Sequence, residues 1–196
     1  MSNHQIPVPA VTEGMRQQAL ANPGKRVYVV DPEFDANGSV PGWGVRGAFP
    51  VSESGDILTN DYIANPKYFP GPKVRGFPEP RNAVERALEL AASGYGPEEG
   101  LVAELVGSGV ELLFSVDPGD PGRIPVVADQ SGTRLVYACT SEERNTSGGR
   151  VVSIPVAAIR DMLSEVYLVL NAGSVPSVSL PGRDIVAAMS AESGNG

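Results

Sequence analysis

Glycine and proline punctuate this chain so densely that few long helices or strands fit between them. There are 23 Gly and 18 Pro in 196 residues, about a fifth of the whole. That is above average yet below the level that reads as disordered. The expectation is many turns and short elements. Hydrophobic residues make up 41%, enough for a buried core without disulfides or metal. Charged residues are only 19%, against a usual value of about 25%.

Charge and rare residues exclude several classes. Fifteen Lys and Arg face 23 Asp and Glu, a formal net charge of −8. An acidic chain without a basic run lacks the electrostatic footprint of a nucleic-acid binder. No stretch approaches the ~20 apolar residues of a membrane span. Met1 to Ala10 shows neither a basic n-region nor an apolar h-region, so a secretory signal is not expected. The one cysteine, Cys139, allows no internal disulfide. A reducing cytoplasm is the expected compartment. The one histidine, His4, sits in a Pro-flanked terminal segment and reads as solvated. Triads and multi-His metal sites need an interior histidine.

Patterns along the chain give an α+β protein. Thr12 caps a short helix that Asn22-Pro23-Gly24 stops. Arg26–Val30 and Val45–Val51 read as strands, with Ile57-Leu58 resuming the second after a turn. Asn82 opens the strongest helix, with Glu85 at N3 and Gly94 as its stop. Pro97 starts a second helix at N1. Glu111–Val116 and Val151–Ile154 read as strands, and Ile124–Ala128 with Arg134–Cys139 as a hairpin. Val166–Leu170 is apolar enough to be central. Pro181–Met189 is the last helix. Strands and helices come in mixed order, without a βαβ rhythm. The expected architecture is a mixed or antiparallel sheet, or two, with short helices on one side. Two small lobes are expected, at 12–109 and 110–190. A mobile segment, 1–11, and a disordered tail, 191–196, flank them.

Several motifs imitate chemistry. Gly42-x-Gly44-x-x-Gly47 matches a phosphate-loop spacing, but Ala48-Phe49-Pro50-Val51 cannot begin the helix such a loop needs. The glycines read instead as close packing beside Trp43. Glu33-x-Asp35-x-Asn37-Gly38 begins like a calcium loop, but Gly44 stands where the bidentate glutamate belongs. An Asx turn is the better reading. Asp117 and Asp120 read as turn residues too. Cys139 lies on an apolar strand face and reads as a buried, inert thiol. Asn145-Thr146-Ser147 matches a glycosylation acceptor without a secretion signal. No catalytic residue, cofactor or metal ligand is expected.

The segment from Asn65 to Pro80 holds five prolines with Tyr68, Phe69 and Phe77 between them. It reads as a semi-rigid extended crossing. Lys67, Lys73, Arg75 and Arg81 concentrate positive charge there. Either the aromatics pin the crossing to the body, or they present a docking strip. In the second case Lys67, Tyr68, Phe69, Lys73, Arg75 and Phe77 would meet an acidic partner.

Three stretches taken together carry a family resemblance. Tyr28-Val29-Val30-Asp31-Pro32 leads to Gly42-Trp43-Gly44-Val45 and Gly47-Ala48-Phe49-Pro50-Val51. Asn65-Pro66 and the Pro-rich crossing precede Ala91-Ala92-Ser93-Gly94-Tyr95-Gly96. Leu170-Asn171-Ala172-Gly173 precedes Ser177-Val178-Ser179-Leu180-Pro181. This arrangement, over roughly residues 12 to 190, resembles actinobacterial type VII secretion system-associated proteins. The C-terminal half looks like an SseB-like domain, with Thr140-Ser141-Glu142-Glu143 as its turn. That pattern commonly has Asn-Pro-Gly where this chain has Asn171-Ala172-Gly173. The resemblance implies a non-enzymatic protein binder: an adaptor, a chaperone-like partner or an immunity-type binder. Its partner would be a secretion substrate or a secretion-system component. The rival expectation is a small-ligand or sensing module with the ligand between the halves.

Overall fold

The computed structural model describes residues 7–193 apart from 108, 118 and 121. The chain divides into two compact units, one ending at Gly76 and the other starting at Phe77.

In the first unit, α1 (Glu13–Leu20) starts where Thr12 Oγ1 accepts the Met15 N–H at 3.3 Å. Its buried Ala19 meets Val27 and Val51, with Met15 and Ile57 partly buried beside them. β1 (Arg26–Val30) and β2 (Val45–Pro50) pair antiparallel with Val27 opposite Phe49. The resumed strand expected at Ile57-Leu58 shrinks to one bridge, Val51 to Ile57. The third strand is instead β3 (Ile63–Ala64), antiparallel to β2. A 3₁₀ turn at Thr59–Asp61 interrupts the chain before the ladder forms.

The second unit holds β4 (Glu111–Ser115), β5 (Val127–Ala128), β6 (Arg134–Cys139), β7 (Val151–Pro155), β8 (Tyr167–Leu170) and β9 (Val178–Pro181). The order is β7-β4-β6-β8-β9, with β5 paired to β6. β6 and β8 run parallel and the other pairs antiparallel. On one face stand Leu112, Phe114, Val136, Ala138, Leu168, Leu170 and Leu180. The helices α2 (Ala83–Ser93), α3 (Glu98–Val106), α4 (Arg160–Leu163) and α5 (Gly182–Ser193) bury Leu88, Leu101, Leu105, Leu163 and Ile185 in the same cluster. Each buried leucine or phenylalanine contributes about 1.5–3 kcal/mol, so this cluster is the main stabilising contact of the unit. The fold is α+β with a mixed sheet. The first lobe expected at 12–109 is shorter, because α2 and α3 share the core of the second unit.

Local signals place the helices. Asn82 Oδ1 accepts the Glu85 N–H at 2.8 Å, and Gly94 closes α2 at φ 75°. Pro97 is the N-cap of α3, one position before the expected N1. Two C-terminal expectations change. Val178–Pro181 is a strand, so the last helix begins at Gly182, one residue after the expected Pro181. α5 runs to Ser193, past the expected start of the tail, and Ser190 Oγ donates to the Val186 carbonyl at 2.9 Å. Residues 194–196 of that tail lie outside the described residues, as do 1–6 and His4 of the expected mobile segment. Within 7–11, the Pro7 carbonyl accepts a bond from Arg46 Nη2 at 3.3 Å. Among the described residues, no helix is long and apolar enough to cross a membrane.

Candidate functional site

The Pro-rich crossing is built around a buried carboxylate. Asp31, at the end of β1, is fully buried. Its Oδ1 accepts the Glu33 N–H at 3.0 Å, and its Oδ2 accepts Tyr68 Oη at 2.6 Å and the Gly71 N–H at 2.9 Å. These three donors replace the water a buried carboxylate loses. Asn65 fixes the start of the crossing. Its Nδ2 donates to the Gly42 and Val45 carbonyls at 2.8 and 2.7 Å, and its Oδ1 accepts the Lys67 N–H at 3.0 Å. The Phe69 N–H then donates to the Trp43 carbonyl at 3.0 Å.

The crossing is not uniformly extended. The Tyr68 N–H donates to the Asn65 carbonyl, the Arg75 N–H to Gly71 and the Gly76 N–H to Lys73, which makes two turns. The φ that proline imposes suits a helical turn as well as an extended chain, so the prolines do not exclude this.

The six expected site residues therefore part ways. Tyr68 is bound to Asp31 and half-buried. Phe69 is 42% exposed, and Lys67, Lys73 and Arg75 of the same segment are exposed too. The Arg75 guanidinium carbon lies 5.0 Å above the Phe69 ring, and Arg75 Nε donates to the Pro70 carbonyl at 2.9 Å. Phe77 is half-buried and belongs to the second unit. Trp43 is not among the expected site residues. It is 40% exposed and stands edge-on to Phe34 with ring centroids 5.4 Å apart. Its signal was the Gly-Trp-Gly spacing. A Cβ at Gly44 would overlap the Phe34 ring, so that glycine permits the close packing of this corner. The motif runs from a 3₁₀ turn, Gly42–Gly44, into β2, with no helix behind it to receive a phosphate. Asp35 Oδ1 accepts the Asn37 N–H at 2.9 Å, an Asx turn. Asp117 and Asp120 make Asx turns with Gly119 and Gly122.

The second unit carries a buried polar network that sequence reasoning missed. Glu85 is 2% exposed. Its Oε1 accepts Thr140 Oγ1 at 2.9 Å and Ser141 Oγ at 2.7 Å. Its Oε2 accepts the Arg81 N–H at 2.9 Å and Arg144 Nη2 at 3.0 Å. Asn171 extends the network. Its Oδ1 accepts the Thr140 N–H at 2.9 Å, and its Nδ2 donates to Thr140 Oγ1 at 2.9 Å. Asn82 Nδ2 donates to the Thr140 carbonyl at 2.9 Å. Burial pushes the Glu85 carboxyl up, but Arg144, the Arg81 N–H, Ser141 and Thr140 together hold it at about 2. A carboxylate whose oxygens each accept two hydrogen bonds offers no basic lone pair to a substrate. Its effect is to tie α2, the loop after β6 and the end of β8 into one joint. Asn171 suits that place, because it sits at φ 55°, which asparagine tolerates better than most side chains.

Cys139 is 8% exposed, and burial pushes its thiol up. It is poorly ionised and poorly nucleophilic. Among the described residues, no three His, Cys, Asp or Glu side chains gather as a metal site. No family model, curated protein or solved structure matches this chain.

Proposed function

We propose that this chain is a non-enzymatic, cytoplasmic accessory factor that binds another protein, as its resemblance to type VII secretion-associated proteins implies, and that the surface it meets is acidic. The observation that carries the reading is the exposed Phe69–Arg75 stack, in a segment that also exposes Lys67 and Lys73. Residues 62–76 hold these three cations and no carboxylate, in a chain of net charge −8. Aromatic and arginine side chains dominate binding hot spots, because they bring contact area and fixed donors together. The anchors at Asn65, Tyr68 and Gly71 hold the strip before a partner arrives, which lowers the ordering entropy of association. The neighbouring positive charges would speed encounter with an acidic surface.

The test compares the native chain with Lys73→Glu/Arg75→Glu as bait in its own cytoplasm, the captured proteins being identified by mass spectrometry. Both side chains are exposed, and the Arg75 contacts to Phe69 and the Pro70 carbonyl lie at the surface, so the melting temperature should change little. An acidic protein captured by the native chain and lost with the double variant is the expected result. Identical captures at low and moderate salt would assign the strip to packing alone.

A further inference from the structure

A second surface lies between α3 and α5, in the other unit. Val102, Ala103 and Val106 from α3, with Ala188 and Ala191 from α5, floor a groove of about 560 Å³. The opposite flanks of the same helices, Leu101, Leu105 and Ile185, are fully buried in the core. The groove is thus the outward side of an already satisfied helix pair. Ala103 and Ala191 are exposed, and Val102, Val106 and Ala188 half-buried. Small floor residues let another backbone approach closely, and two packed helices present the ridges that receive a third. Glu98, Glu99 and Asp184 line the rest of it, and no lining residue is cationic. The adjacent Arg183 lies 3.7 Å from Asp184 and is exposed, so the rim remains net negative. Charge across the chain points the same way. Seven Lys and Arg balance seven Asp and Glu up to Gly76, leaving the whole −8 in the unit from Phe77 onward.

We propose that this groove docks a basic amphipathic helix of a partner protein. Its apolar stripe would lie on Val102, Val106, Ala188 and Ala191, and its lysines and arginines would face Glu98, Glu99 and Asp184. This is a helix-in-groove mode, and it needs no sheet edge. The surface is independent of the Phe69–Arg75 strip, which selects the opposite charge.

The probe is a fluorescent amphipathic helix of leucine and lysine, with a leucine–glutamate helix of equal length as control, titrated against the full chain. The leucine–lysine helix binds saturably and weakens as salt rises. Ala191→Arg puts a cation on an exposed floor position, keeps the melting temperature and weakens binding about tenfold or more. Glu98→Gln/Glu99→Gln weakens it less and flattens the salt dependence. Lys73→Glu/Arg75→Glu leaves it unchanged. Equal binding of both helices, or undiminished binding by Ala191→Arg, overturns the proposal. So does self-association of the chain that Ala191→Arg abolishes, because the occupant would then be a second copy.

Discussion

Arg144 Nη2 lies 3.0 Å from Glu85 Oε2 with both side chains buried, and this pair joins the first turn of α2 to the loop after β6. The geometry makes the pair asymmetric in its consequences. Removing one partner strands the other charge away from water, at about 3–5 kcal/mol, whereas replacing both with apolar groups can be nearly neutral. Arg144→Met and Glu85→Leu should each lower the urea midpoint sharply. The double change should recover part of the loss. Additive losses in that cycle would show that the two side chains act separately.

The same carboxylate gives the fold an acid limit. Glu85 titrates at about 2 in the folded chain, against an ordinary value of 4.5. A depressed folded value means that the unfolded chain binds the proton more readily. The contribution is therefore fully present above about pH 5 and is lost as pH falls towards about 2, amounting to about 3 kcal/mol. Glu85→Gln cannot titrate, so its unfolding free energy should fall less steeply across that window. Parallel pH profiles for the two chains would refute this.

Tyr68→Phe tests the anchor of the strip. It removes the 2.6 Å bond to Asp31 and leaves Oδ2 with the Gly71 N–H alone. A hydrogen bond to a charged group contributes about 1.5–3 kcal/mol, and the melting temperature should drop accordingly. Tyr28 is 60% exposed, so Tyr28→Phe is the matched control and should change little. Equal melting temperatures for the two variants would mean that Asp31 does not depend on Tyr68.

What the sequence made legible was local, and what it hid was long-range. Thr12, Asn82 and Gly94 announce helix ends because a cap bonds to a residue three or four positions away. The apolar run up to Leu170 shows a strand inside the sheet, between β6 and β9, although only Leu168 and Leu170 of it are fully buried. β3 escaped because two residues carry no periodicity, and β9 because only four residues precede the turn into α5. Glu85 looked like half of a capping box. Its side chain takes the Arg81 N–H, one position before the cap, and its strongest partner is 59 residues away. Asp31 and Tyr68 are 37 residues apart. Pairings at such separations leave no spacing to read. The cations of the strip were visible in the sequence. That Phe69 faces outward while Tyr68 does not depends on Asp31, which in the sequence was only the end of a strand.

Gly182 sets how closely α5 can enter the second unit. It is buried at the first position of the helix, and its N–H donates to the Val166 carbonyl at 2.9 Å. A Cβ there would overlap the Leu163 carbonyl oxygen and fall 2.8 Å from the Val166 oxygen. Both obstacles are backbone, so no rotamer change relieves them. Gly182→Ala should destabilise by about 3 kcal/mol, near the upper end for overpacking. Gly14 gives the contrast. It is exposed in α1 with nothing near its Cβ direction, so Gly14→Ala should stabilise by about 0.5 kcal/mol through helix propensity. Urea midpoints moving in opposite directions are the expected result. A Gly182→Ala midpoint equal to that of the native chain would mean that α5 can shift along its axis without loosening Ile185 from the core.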